Sequence, residues 1–346
     1  MGIAVTRAKT RVSETLRAAP KVELHQHVDG SIPFATTWQM LVRHGLNPVE
    51  DADEMRRRLE IQPGEEGSLL AYLDKFHYPL WITQFYENLQ AISEAIVRAA
   101  LEAGVRILEL RYSPLIHTYA GLTVRQAIRA VLSGFNRVRR DHPEIHCGLI
   151  VIAMRQHGPH IAKILARQAI AEAQHLHERT GVIGFDIAGP ERGNPPRLFR
   201  DAFEIAQAGG LGITAHAGED AGPEFIWEAI DELGATRIGH GCSAVRDKAL
   251  LARLERDGLL VECCPTSNYQ TGAVSAGQPH PLLTFLERGI PVAICTDNTT
   301  VSDTDLARES SLVASWLGAE GERRVLQIHR EAARHSFLAG AGELFP

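Results

Sequence analysis

The sequence is poor in the features that mark specialised chains. Its five cysteines (Cys147, Cys242, Cys263, Cys264 and Cys295) contain no Cys-x-x-Cys pair. They read as reduced and mostly buried, as expected of a cytoplasmic protein. Adjacent Cys263 and Cys264 sit in an apolar run and would point to opposite faces of a strand. There is no long basic run and the net charge is -6, so nothing points to a nucleic-acid partner. No apolar run reaches the ~20 residues that span a bilayer, and the N-terminus has no signal-peptide core. Met1-Gly2 with Thr6 fits a loose myristoylation pattern, short enough to arise by chance. Linkers and low-complexity segments are also missing. The 346 residues therefore read as one domain, a length that α/β barrels reach.

What is present is a rhythm. Apolar strand-like runs occur at 22–28, 105–112, 147–154, 182–188, 212–217, 236–239, 259–264 and 291–296. Most are separated by helix-patterned segments, such as 161–178, 197–208 and 249–256. Continuous apolar strands alternating with helices imply a parallel sheet covered on both faces. Eight such units imply a closed (β/α)₈ TIM barrel. Residues 1–19 form a polar N-terminal extension. About 34–103 forms a helical insertion after strand one, with Leu69, Leu70, Leu73, Phe76 and Leu80 at helical spacing. Its aromatic part, Tyr72 to Tyr78, could cover a pocket as a lid, although such a stripe is more often helix core. Extra helices follow about residue 303, with Leu312, Val313 and Trp316 on one face and Val325 and Ile328 on another.

The chain is organised around His25-Gln26-His27. On a strand, residues i and i+2 share a side, so the two imidazoles face one point. Imidazole nitrogen suits zinc. Other polar residues close the remaining strands: Asp186 to Gly189, His216 to Asp220, Gly239-His240-Gly241, Pro265 to Asn268 and Thr296-Asp297-Asn298. Chemistry in a barrel sits at these ends. Strands one and eight are neighbours in a closed barrel, so His25, His27 and Asp297 can converge, with His216 entering from the opposite wall. Four such ligands suit one metal ion. Binuclear barrel hydrolases often bridge their metals through a carboxylated lysine. The lysines here (Lys9, Lys21, Lys75, Lys163 and Lys248) end no proposed strand, so a single metal is expected. A structural site would be closed and usually Cys-rich. Here Glu219 and His240 stand beside the ligands uncommitted. A carboxyl and an imidazole next to a metal-acidified water are what hydrolysis of a polar C–N bond needs.

Together these stretches resemble the adenosine deaminase family of the amidohydrolase superfamily. The marks are Pro20 to Ser31 (PKVELHQHVDGS), Thr214 to Glu219 (TAHAGE), Arg237 to Gly241 (RIGHG), Cys264 to Asn268 (CPTSN) and Thr296 to Asn298 (TDN), in the family's order from about Lys21 onward. The resemblance implies one zinc ion per chain on His25, His27, His216 and Asp297. It implies Glu219 as proton donor to purine N1 and His240 as base or positioner of the nucleophile. It places Asp29 at the ribose 5′-hydroxyl and the Gly189 N–H at purine N3. Many members carry a second Asp where Asn298 stands. An Asn amide can also donate to N7, which accepts. Tyr72 and Phe76 stand where the family has a hydrophobic gate. The implied reaction is hydrolytic deamination of adenosine or 2′-deoxyadenosine. The alternatives are adenine, an N6-substituted purine or a 5′-modified adenosine such as aminodeoxyfutalosine. A short carboxylate at Asp29 favours a ribose hydroxyl. The other zinc deaminases use an H-x-E and P-C-x-x-C signature, and this sequence has no P-C-x-x-C.

Overall fold

The computed structural model describes residues 12–173 and 180–344. The loose pattern at Met1, Gly2 and Thr6 lies outside the described residues, as does the end of the helix expected to reach 178. Eight strands form one sheet in sequence order: β1 (Lys21–His27), β2 (Val105–Tyr112), β3 (His146–Met154), β4 (Val182–Ala188), β5 (Gly212–Ala217), β6 (Arg237–His240), β7 (Leu260–Cys263) and β8 (Val292–Ile294). All neighbouring pairs are parallel. A single bridge between Gln26 and Asp297 joins β1 to β8. This is the expected (β/α)₈ barrel, closed at its thinnest seam.

The seam explains why β8 is shorter than the apolar run 291–296. Beyond Ile294 the chain stops pairing regularly and a side chain takes over. Glu23 Oε2 accepts the Thr296 N–H at 3.0 Å and its hydroxyl at 2.8 Å, while Oε1 accepts the His25 N–H at 2.9 Å. The β1–β2 register shifts at the same place, between Glu23 and Gln26. One buried carboxyl thus satisfies the backbone groups that the ladder leaves open, as burial demands. Burial pushes Glu23 up to about 8.

Five helices fill the insertion between β1 and β2: Phe34–His44, Ala52–Leu59, Leu69–Asp74, His77–Ile82 and Tyr86–Glu102. Asp51 and Ser68 cap two of them by accepting the N–H three residues on, the usual N-cap chemistry. The tail forms helices Leu306–Leu317 and Gly321–Arg334. Val313, Val325 and Ile328 are buried there. All five cysteines are free and buried. Among the described residues, no helix is long and apolar enough to cross a membrane.

The barrel interior is not simply apolar. Arg237 on β6 meets Glu109 on β2, and Arg111 on β2 meets Glu262 on β7 (Nη2 to Oε2, 2.9 Å). These strands are not neighbours, so the side chains meet through the interior. Below them the chain end plugs the barrel. Ser336 Oγ and Phe337 N both donate to Glu109 Oε1, and Arg237 lies 3.7 Å from the Phe337 ring centre. Gly212 leaves room for that ring: a Cβ there would stand 2.3 Å from Phe337 Cδ1. Because the ring is pinned from both sides, Gly212→Ala is expected to destabilise the protein by about 1–3 kcal/mol, as overpacking does. In a Phe337→Ala background the same substitution should cost much less. Urea unfolding of the four proteins of this cycle measures the difference, and equal penalties in both backgrounds would remove the ring as the cause.

Candidate active site

The ends of β1, β5, β6 and β8 bring four imidazoles and a carboxylate together. His27 Nε2 is 3.1 Å from His216 Nε2 and 3.3 Å from Asp297 Oδ1. His25 Nε2 is 3.7 Å from the same oxygen. Ligand nitrogens sit about 2.0–2.1 Å from zinc, so atoms this close to one another are within reach of a single ion. Two overlapping groups have metal-holding geometry, His25, His27 and Asp297, and His25, His216 and His240. Two of these residues hold strained backbones. His240 has φ 62° and Asp297 φ 61°, a region non-glycine residues enter when the surroundings enforce it.

Carboxylates behind the cluster aim the rings. His25 Nδ1 lies 2.8 Å from Glu262 Oε2, and His216 Nδ1 lies 2.9 Å from Asp186 Oδ2. A carboxylate takes the Nδ1–H, which leaves the Nε2 lone pair facing the cluster. His25 Nε2 is buried without a hydrogen-bond partner, an orphan that fits a metal ligand. Burial, then the Arg111 charge, holds His25 well below its ordinary pKa. Burial works the same way on His216 but is outweighed by Asp186, which raises it. Ser267 Oγ donates to Asp297 Oδ2 at 2.6 Å and holds that side chain from below.

Glu219 stands on the loop after β5. Its carboxyl is pushed up to about 7, by burial first and then by the Asp297 carboxylate, so it can both hold and release a proton near neutrality. Its Oε2 is 3.5 Å from His240 Nε2. Burial holds His240 down at about 4, so its ring is neutral. The loop itself is fastened by Glu191, which accepts the N–H groups of Gly218 (2.7 Å), Asp220 (3.0 Å) and Ala221 (2.6 Å).

Comparison with known proteins matches residues 20–343 to the family model described as adenosine deaminase. The chain belongs to the adenosine deaminase family. The adenosine deaminase of Shewanella denitrificans is 35% identical over 329 residues, covering 93% of this chain and 96% of its own. Among solved structures, the adenine deaminase of Arthrobacter aurescens matches with TM-score 0.84 at 26% identity, over 95% of this chain and 97% of that one. The Arabidopsis N6-mAMP deaminase matches with TM-score 0.84 at 25% identity, over 96% and 98%. The chain is an aminohydrolase of the adenosine deaminase type.

The other positions that the resemblance singles out have the following surroundings. Asp29 Oδ1 is buried without a partner. Burial raises Asp29 to about 6, with Asp297 adding to the rise. Asn298 lies against Gly30, where a Cβ would stand 1.9 Å from Asn298 Oδ1, and that oxygen has no hydrogen-bond partner. Gly189 follows β4 with φ 93° and packs against Gln156 and Met154. Tyr72 and Phe76 come together with Ile61 and Val301. Tyr72 does not make apolar contacts alone. It is buried, and its hydroxyl is 2.9 Å from Ser302 Oγ.

Several residues of this deaminase site escaped the reading of the sequence. Glu262, Arg111 and Arg237 are charged positions inside apolar strands, and that oddity was the available signal. Asp186 was seen at a strand end but given no role. Glu191 and His280 carried no local signal. Glu191→Ala leaves three donors without their acceptor. It is expected to cost about 1–3 kcal/mol in urea unfolding and to lower turnover by loosening Glu219. Glu191→Gln, which keeps one acceptor oxygen, should lose less of both. Equal effects from the two variants would show that the acceptor oxygens are not what holds the loop.

Proposed function

We propose that the site binds one divalent metal ion, zinc by its ligand set, through His25, His27, His216 and Asp297, and deaminates adenosine or 2′-deoxyadenosine to the inosine nucleoside and ammonia. The observation that carries this reading is geometric: the Glu219 carboxyl stands 3.5 Å from the His240 imidazole, beside a cluster of metal-type ligands. Three nitrogens and a carboxylate oxygen with no cysteine suit zinc in a catalytic setting. A divalent ion bound there acidifies water enough to make it a nucleophile near neutral pH. His25 and His216 keep their lone pairs directed at the ion because Glu262 and Asp186 hold the opposite nitrogens. Water adds to purine C6, and the displaced electron pair moves to N1. Glu219 delivers its proton to N1, so the ring never carries a full negative charge, and the carboxylate left behind takes the proton that the water oxygen loses. Glu219 hands that proton to the amino group, ammonia leaves, and the C6 hydroxyl returns its proton to Glu219 as the carbonyl forms.

Asp29 supports a nucleoside. Its Oδ1 is a buried acceptor with no partner, suited to a ribose hydroxyl. The charged group that acts on it is Asp297, a second carboxylate, which makes the position hostile to a 5′-phosphate. Asn298 supports a purine, since its amide can donate to N7. A screen of 6-aminopurines, followed by loss of their ultraviolet band, tests the reading. Failure to turn over any of them would end it.

Two outcomes are expected. Glu219→Gln should keep one equivalent of metal per chain and lose about 10²–10⁴-fold in turnover, the usual contribution of a general acid. Wild-type turnover, or two metal equivalents by elemental analysis, would contradict the assignment. Adenosine should exceed AMP in kcat/KM, and 7-deazaadenosine should be disfavoured by about 1–3 kcal/mol because it strands the Asn298 donor. Asn298→Ala should shrink that gap. AMP as the better substrate would overturn the role of Asp29, and a 7-deaza gap unchanged in Asn298→Ala would overturn that of Asn298.

A further inference from the structure

His240 has two ring nitrogens, and the one that carries the proton decides what the ring can do for the nucleophile. Three hydrogen bonds leading away from the site answer the question. They begin at a donor that has no alternative, the backbone N–H of Leu282, 3.1 Å from His280 Nδ1. His280 Nδ1 must accept, so the proton of His280 sits on Nε2. That nitrogen is 3.1 Å from Asn268 Oδ1 and donates to it. The amide is thereby oriented, and its NH₂ faces His240 Nδ1 at 2.9 Å. An amide nitrogen donates and does not accept. His240 Nδ1 must therefore accept, and the proton of His240 sits on Nε2, the nitrogen that looks toward Glu219. Asn268, His280 and His240 are all buried, at 0%, 2% and 1% exposure, so bulk water does not compete for these bonds. The His280 ring is itself fixed. It caps the helix Pro281–Arg288 and stacks on Trp316 at 5.6 Å and 20°.

We propose that Asn268 and His280 are positioning residues. They lock His240 with its proton on Nε2, so that His240 donates a hydrogen bond to the attacking oxygen and neither takes its proton nor ligates the ion. This rests on the deaminase reading above and adds to it. A protonated His240 Nδ1 would face the Asn268 amide donor across 2.9 Å, a donor–donor clash between buried groups. The same lock disposes of the alternative group of His25, His216 and His240, because a nitrogen carrying a proton has no lone pair for a metal.

Asn268→Asp tests the lock. A carboxylate accepts from His280 as before, and it also accepts a hydrogen bond from His240 Nδ1–H. The His240 proton thus moves to Nδ1, and Nε2 turns its lone pair to the site. If His240 works as a donor, turnover per bound metal ion should fall on the order of 10²–10³-fold with KM little changed, the cost of losing one fixed donor. If His240 works as a base, the substitution should leave turnover equal or raise it, and that result would overturn the proposal. Nitrogen-15 spectra of the histidine rings in the zinc-loaded wild-type protein give a readout that needs no turnover. The His240 proton is expected on Nε2 in the wild type and on Nδ1 in Asn268→Asp. Finding it on Nδ1 in the wild type would overturn the lock. Absence of activity on every 6-aminopurine would count against the deaminase reading alone, since the ring spectra still report the tautomer.

Discussion

The structure depends on a ladder of buried charge that runs up the inside of the barrel. Glu109 pairs with Arg237, Arg237 with Glu262, Glu262 with Arg111, and Arg111 with Asp186. Thr214 also donates to Glu262, and the His216 and Ile187 N–H groups donate to Asp186. Buried ion pairs are poor sources of stability, because the desolvation of each member offsets the attraction. What they do supply is position. Each carboxylate is held by at least one guanidinium, and the two upper carboxylates spend their remaining capacity on His25 and His216. The ladder turns a rigid barrel into a rigid set of ring orientations. It also joins the chain's end, at Ser336 and Phe337, to the opposite mouth of the barrel.

Much of this was legible in the sequence. Eight apolar runs separated by helical patterns gave the barrel, because strands buried on both faces leave few polar positions to confuse the count. The histidines proposed to hold the ion were legible because a histidine that ends an apolar strand is conspicuous. The interior ladder was not. Glu109 and Arg111 alternate with Leu108 and Leu110 inside a strand that reads as a continuous apolar run, so their charges are given no partner. In a closed barrel their face is the inside. The charges must then satisfy one another across strands far apart in sequence, and no local pattern records such pairings.

The hydroxyl of Tyr72 escaped for a related reason. An aromatic residue on an amphipathic helix reads as core or gate, and only the fold reveals Ser302 opposite its polar end. Glu191 accepts from backbone N–H groups and His280 is anchored by one, and backbone donors leave no mark in composition. The site thus divides by kind. Residues that would touch the ion or the purine stand at strand ends and were readable. Residues that orient them answer to tertiary contacts and were not.

The seam between β1 and β8 has a consequence for how the barrel breathes. It is the thinnest stretch of the sheet, one bridge and one glutamate side chain wide, so it is where local opening is easiest. Yet His25 and His27 lie on one side of it and Asp297 on the other. An ion held by all three works as a clasp across the weakest line of the fold. Charging the site and shutting the barrel then become one event. Its trace would be slowed amide exchange at His27 and Asp297, whose N–H groups bond across the seam at 2.7 and 2.9 Å, with little change along β3 and β4.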